Sequence, residues 1–338
     1  LTVHLLKIAN NVVAIENDMF ITGGVGAVHF DEKFGPDYFL PTDAYLETCA
    51  AVGAGFFSQR MNELTGDAKY MDELERTLYN NVLTGISLSG TQYTYQNPLN
   101  SAKHARWSWH DCPCCPPMFL KMMSAMPGFI YSQKGSDVYV NLFVGSETEM
   151  TLADRNRVRL TQKTGYPWEG VVTMTVEPEK EKTFILKVRI PGWAQGVENP
   201  YGLYRSEVRS AVSLKVNGKS VPLKIFKGYA EIQRKWKKGD QVELTLPVQP
   251  RLVTANEAVA DLQDKVAIAA GPFVYCLEGC DNEGLADLKV DMRSPLSITF
   301  EKGLLNGINV IKGQALDKTG KKVPVTAIPY YALGNRQD

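Results

Sequence analysis

The spacing of apolar residues in this 338-residue chain changes character once, near Ser136, and that change dictates the architecture. Before it, apolar residues recur every three to four positions, the period of a helix with one buried face. After it, they alternate or run continuously over five to nine residues rich in β-branched types, the pattern of strands. The expected fold is therefore α+β and multidomain, with helices first and sheets after.

Within the helical part, residues 44–64 are long enough for five to six turns, with Cys49, Val52, Phe56 and Phe57 on one face. Thr42 or Asp43 is placed to cap that helix. Residues 70–86 form a second helix whose stripe is Met71, Leu74, Leu78 and Val82, and 117–126 a short third one. Long Gly- and Pro-rich loops, 22–41 and 87–116, separate the helices, and such loops are where function tends to sit. Strands are expected at 138–145, 170–178, 183–193 and 241–248, with 265–279 and 323–335 in the same style. Asn217-Gly218 occupies a hairpin-turn position, and 237–240 is a second tight turn. Regular short strands with turn signals read as β-sandwich modules.

Thirty-seven basic residues balance thirty-seven acidic ones, so no net field draws the chain to nucleic acid or an anionic membrane. No apolar run approaches the ~20 residues that span a bilayer. The chain opens on Leu1 inside a helix-like pattern and reads as the later part of a longer protein. Its compartment stays open between cytoplasm and periplasm or secretion.

The strongest local signal is HDCPCCPPM at 110–118, with Cys112, Cys114 and Cys115 within four positions. A metal site, a reactive thiolate and disulfides to distant partners all remain open. Thiolate clusters suit zinc or an iron–sulfur centre, but four ligands are needed and too few are local. Pro116-Pro117 opens the third helix, so Cys114 and Cys115 lie at a helix N-terminus, where partial positive charge favours thiolate. Glu47 and Cys49 are a further candidate pair. On a regular helix they point ~200° apart, so both reach one ion only where the backbone is just entering its helix. Glu32 is by default a solvated loop residue, and in a glycosidase it would be the proton donor. His29 and His110 lie in the long loops and are candidates for substrate contact. Cys276 and Cys280 look structural.

Several of these segments together resemble glycoside hydrolase family 127. They are ITGGVGA (21–27), EKFGPDYFLPTDAYLETCA (32–50), YNNVLTGI (79–86), YQNPL (95–99) and CPCCPP (112–117). Further on come YPWEG (166–170), RIPGWA (189–194), AAGPFVYCLE (269–278) and AIPYYALGNR (327–336). The resemblance implies the C-terminal part of an (α/α)6 barrel over 1–130, a β-sandwich over 131–250, and a second sandwich or continuation of the β region over 251–338. It implies a retaining hydrolase of β-L-arabinofuranosides or a related plant-glycan sugar. It further implies Zn2+ held by Glu47, Cys49, Cys114 and Cys115, with Cys114 also the nucleophile and Glu32 the acid/base. Tyr95 would hydrogen-bond near the nucleophile, and Cys112 would stand outside the metal's ligand set. A homodimer is suggested on the same ground. As a partial barrel, this segment by itself could be inactive. Two other readings compete: a non-catalytic carbohydrate-binding protein with structural cysteines, and a polysaccharide lyase.

Overall fold

The computed structural model describes residues 16–101, 106–109, 111–207 and 211–336. His110 lies outside the described residues. The three expected helices are present as Thr48–Thr65, Lys69–Thr77 and Cys115–Ala125. The first starts four residues later than its apolar pattern predicts. Leu46 is held at φ 45° and Glu47 is extended at φ −60°, ψ 139°, so the chain turns a corner before the helix begins. Gly66, at φ 62°, ends it in the left-handed conformation, its N–H returning 2.8 Å to the Asn62 carbonyl.

The second predicted helix is regular only to Thr77 and continues as a π turn over Leu78–Val82. The wider turn is where Asn80 leaves the helix surface. Its Nδ2 donates to the Pro272 carbonyl at 3.0 Å and its Oδ1 accepts from the Val274 N–H at 2.8 Å, tying the helical part to a strand nearly two hundred residues away. The ITGG segment fits against the same helix only as glycine. A Cβ at Gly23, φ 76°, would lie 2.5 Å from the Thr77 Cα. Met71, Leu74, Leu78 and Val82 are all buried, with Ala51, Val52 and Met122, in one helical core.

Among the described residues beyond 130 there are three sheets. The first, of five strands, runs Tyr131–Lys134, Asp137–Val140, Lys182–Arg189, Tyr229–Trp236 and Ile225–Phe226. The second, of six, runs Ser146–Thr151, Arg157–Thr164, Val171–Pro178, Asp240–Thr245, Ser213–Val216 and Lys219–Ser220. Alternate residues of both point into one shared core, among them Val138, Leu186, Ile232 and Trp236 from the first and Leu160, Met174, Val216 and Val242 from the second. Asn217 (φ 51°) and Gly218 (φ 75°) make the expected tight hairpin between the last two strands of the second sheet. The third sheet holds the strands from Pro250 onward, and Tyr204–Ser206 crosses from the middle of the chain to pair with Pro250–Ala255. Sequence patterning did not anticipate that crossover.

Arg189 of the RIPGWA segment joins helices to sheets. Its guanidinium is fully buried and meets Asp72 at 2.6 Å and Glu75 at 2.5 Å on the Lys69–Thr77 helix. Tyr166 of the YPWEG segment donates to the same Glu75 at 2.9 Å. At the other end of the β region, Tyr330 donates to the carbonyls of Asn97 (2.7 Å) and Pro98 (3.0 Å), while Arg106 clasps the carbonyls of Thr84 and Leu333. The strand end at 329–333 thus pins the loop on which the site is built.

Candidate metal and catalytic site

The corner before the first helix is what brings Glu47 and Cys49 together. Leu46 N–H donates to the Gly26 carbonyl at 3.1 Å and Tyr45 N–H to Ala27 at 3.2 Å on one side. From the other side, Thr48 N–H donates to the Tyr95 carbonyl at 3.0 Å, and buried Asn97 donates through Nδ2 to the Leu46 carbonyl at 3.1 Å and to Thr48 Oγ1 at 2.9 Å. Held this way, Glu47 precedes the helix with extended backbone while Cys49 lies in its first turn. The angular separation of a regular helix does not apply, and both side chains reach the same point.

Cys114 and Cys115 arrive from the third helix. Cys114 is its N-cap, Cys115 its first residue, and the two prolines follow in its first turn, as the sequence implies. The Sγ of Cys114 lies 3.4 Å from Glu47 Oε1 and 3.8 Å from Cys115 Sγ. Cys115 Sγ is 3.6 Å from Cys49 Sγ and 3.9 Å from Glu47 Oε1. One ligand atom from each of Glu47, Cys49, Cys114 and Cys115 lies within 4.8 Å of every other. A tetrahedron with metal–sulfur legs of ~2.3 Å has edges of about 3.8 Å. Four of the six donor–donor separations, 3.4–3.9 Å, lie near that edge, and the group could hold a metal ion. None of the six cysteines is disulfide-bonded, which removes the disulfide reading of the cluster.

The electrostatics point the same way. Burial pushes the Cys114 thiol up to about 12, against the opposing effect of its hydrogen bond with Tyr95. Cys49 is driven far upward, chiefly by its hydrogen bond with Cys115 and by burial. The helix N-terminus by itself does not yield a thiolate here. Crowded, half-buried sulfurs ionise together only with a cation among them.

Glu32 stands across from the sulfurs. It closes the short turn Phe30–Glu32 inside a loop whose ends, Val28 and Lys33, exchange both backbone hydrogen bonds, and its φ is 51°. That conformation is unfavourable for a residue with a side chain, and it lifts the carboxyl out of the loop. Tyr45 donates to Glu32 Oε1 at 3.1 Å and Tyr95 to the same oxygen at 3.3 Å. Cys114 Sγ is 3.5 Å from the Tyr95 hydroxyl, so one phenol oxygen bridges the carboxyl and the sulfur. The exposed ring of His29 packs edge-on against Tyr45 at 4.9 Å, and Trp107 lies against Tyr95 at 6.2 Å. Burial raises both phenols above their ordinary range, which keeps them protonated donors.

Of the residues singled out from sequence, Glu32, Glu47, Cys49, Tyr95, Cys114 and Cys115 come together, with His29 at the edge. Cys112 is exposed and 3.9 Å from the Tyr95 hydroxyl. Cys276 and Cys280 are in the third-sheet region. Cys280 falls near Glu278 and Asp281, but both carboxylates are taken by Arg336. Tyr45 and Asn97 were missed. Both stand in segments already quoted, but nothing in their spacing marked a role.

Sequence models of one family match most of the chain. They are the β-L-arabinofuranosidase GH127 catalytic domain over residues 4–128, its middle domain over 137–248, and the glycoside hydrolase family 127 C-terminal domain over 250–338. A non-reducing end β-L-arabinofuranosidase of Bifidobacterium longum is 28% identical over 94% of this chain and 52% of its own length. Among solved structures, a GH127 β-arabinofuranosidase is 38% identical with a TM-score of 0.89, covering 95% of this chain and 52% of that one. A GH127 β-L-arabinofuranosidase from Geobacillus stearothermophilus T6 is also 38% identical, TM-score 0.87, covering 95% and 53%. The chain thus spans about half the length of the relatives it matches.

Proposed function

The chain belongs to glycoside hydrolase family 127, and from that premise we propose that it carries the reacting groups of a retaining β-L-arabinofuranosidase. The helices would be the later part of an (α/α)6 barrel over 1–130, the first two sheets a β-sandwich over 131–250, and the third sheet a second β module over 251–338. Residues supplied by the rest of the full-length protein would complete the pocket. Glu47, Cys49, Cys114 and Cys115 would hold a zinc ion; three sulfurs and one carboxylate are a donor set that zinc favours. Bound there, zinc would keep the sulfurs deprotonated and moderate their basicity.

The chemistry of the residues follows. Cys114 Sγ attacks the anomeric carbon while Glu32 gives its proton to the departing oxygen, leaving a thioglycoside and a Glu32 carboxylate. That carboxylate then takes a proton from water as the water displaces sulfur, and two inversions leave the configuration retained. The observation that carries this reading is the Tyr95 hydroxyl lying 3.5 Å from Cys114 Sγ and 3.3 Å from Glu32 Oε1. The two legs meet at one oxygen. They hold nucleophile and acid within a separation compatible with the roughly 5–5.5 Å of retaining pairs, short of almost all the ~6.5–9.5 Å range of inverting ones.

The test is turnover of an aryl β-L-arabinofuranoside by the full-length protein, with the first-formed sugar read by proton NMR. A retained β-anomer, and loss of turnover in Cys114→Ala, are expected. An inverted product would sink the double displacement. Glycan affinity without turnover, unchanged in Cys114→Ala, would leave a carbohydrate-binding protein instead. A homodimer is part of the same proposal, tested by light scattering. Among the described residues, no helix is long and apolar enough to cross a membrane.

A further inference from the structure

We propose that Tyr45 is the positioning residue of the acid/base, fixing Glu32 by its Oε1 so that the transferable proton sits on Oε2; this rests on the reading of Glu32 given above. Glu32 needs such a hold. It projects from an exposed loop, at a backbone angle that favours glycine, and the donors to its carboxyl come from Tyr45 and Tyr95, 13 and 63 residues along the chain. Tyr45, by contrast, is nearly fully buried and fixed on both sides of its backbone. Its N–H donates to the Ala27 carbonyl and its own carbonyl accepts from Asn97 N–H, each at 3.2 Å. Its ring is wedged between His29 at 4.9 Å and Tyr95 at 6.0 Å. A rigid phenol thus donates to a carboxyl on a less constrained loop at 3.1 Å.

The choice of oxygen follows from hydrogen-bond chemistry. In a protonated carboxyl the carbonyl oxygen is the good acceptor and the hydroxyl oxygen the donor. Tyr45 and Tyr95 both aim at Oε1. That makes Oε1 the carbonyl oxygen and leaves the proton on Oε2, the position from which it is given to the leaving group. Tyr95 cannot do this alone, because its hydroxyl is also shared with Cys114 Sγ at 3.5 Å and Cys112 Sγ at 3.9 Å. Before attack, the negative charge is on sulfur and Glu32 is neutral. When the S–C bond forms and the C–O bond breaks, the Oε2 proton leaves with the alcohol and the charge passes to Glu32. The Tyr95 hydrogen follows that charge from sulfur to carboxylate. Tyr45 keeps Oε1 held in both states.

The test compares Tyr45→Phe and Glu32→Gln with wild type in the full-length enzyme. The substrates are a 2,4-dinitrophenyl β-L-arabinofuranoside, whose leaving group needs no proton, and an alkyl β-L-arabinofuranoside, whose leaving group does. Tyr45→Phe removes one oxygen and keeps the ring, and metal content and thermal midpoint serve as controls for the fold. Tyr45→Phe should lower kcat/KM on the alkyl glycoside by about tenfold or more, part of the roughly 10²–10⁴ that acid–base catalysis contributes. The dinitrophenyl substrate should change by less than about threefold, with metal content unaltered. Equal losses on both substrates, or no loss on either, would overturn the assignment of Tyr45. Glu32→Gln separates the two claims. If its own loss is not selective for the alkyl substrate, the acid/base reading of Glu32 has failed and the Tyr45 proposal falls with it. If Glu32→Gln is selective and Tyr45→Phe is not, only the Tyr45 proposal falls.

Discussion

Asn97→Ala should cost both stability and metal affinity, and a matched control can separate the two. Asn97 is wholly buried. Its amide donates to the Leu46 carbonyl (3.1 Å) and Thr48 Oγ1 (2.9 Å), and its Oδ1 accepts from Thr94 Oγ1 at 2.8 Å. Three buried bonds at about 1 kcal/mol each give a loss of about 3 kcal/mol. The Leu46 carbonyl is then left without that partner at a residue already held at φ 45°, a conformation costing on the order of 1 kcal/mol or more. Relaxation of Leu46 would swing the next residue, Glu47, away from the sulfurs. Metal affinity should therefore fall roughly 10–100-fold, the usual cost of removing a group that orients a ligand. Asn282→Ala is the control, since Asn282 also makes three bonds, to Glu278 and Thr326, from a buried site remote from the sulfurs. Denaturant unfolding and competition with a chelator read the two quantities. Equal stability losses with only Asn97→Ala losing metal are expected. If both variants keep their metal affinity, or both lose it, the argument that Asn97 sets the Glu47 corner is refuted.

Removing one partner of the Arg189 cluster, as in Arg189→Met, should destabilise by about 3–5 kcal/mol because buried Glu75 and half-buried Asp72 are left without their cation. Adding Glu75→Gln should recover part of that loss in the same denaturation assay. Glu73 is fully buried, and burial raises its pKa from 4.5 to about 7, the nearby Arg76 opposing. The neutral form is favoured in the folded protein. This group's contribution is thus present at acid pH and lost as pH rises through about 7. Glu73→Gln should flatten the decline in stability between about pH 5 and 7, and an unchanged slope would contradict the assignment. Cys115→Ser should lower bound metal per chain, whereas Cys112→Ser should not, as counted by plasma mass spectrometry. Equal metal loss in both would place Cys112 among the ligands.

The broad outline was legible because it rests on periodicity. Met71, Leu74, Leu78 and Val82 form a stripe, and alternating strands such as Val171–Pro178 bury every second residue. Chemistry at fixed sequence offsets was legible too. Proline is favoured in the first turn of a helix, and Cys114 stands at the N-cap position of that one. What spacing alone could not give is any feature created by contacts from far along the chain. The Glu47–Cys49 pair is incompatible with a helix starting at residue 44 and compatible with one starting at Thr48. The start is decided by Gly26, Ala27, Tyr95 and Asn97, none of which belongs to the helix. The same holds for the exchange of strand Tyr204–Ser206 into the third sheet and for the π turn at Leu78–Val82, both set by distant partners. Glu32 was the least legible residue of the site. Flanked by other charged residues, it reads as solvated loop, and its distinction lies in a left-handed backbone angle and two phenols arriving from elsewhere. A loop carboxylate becomes a candidate acid only where the fold supplies donors that hold one of its oxygens and leave the other free to carry a proton.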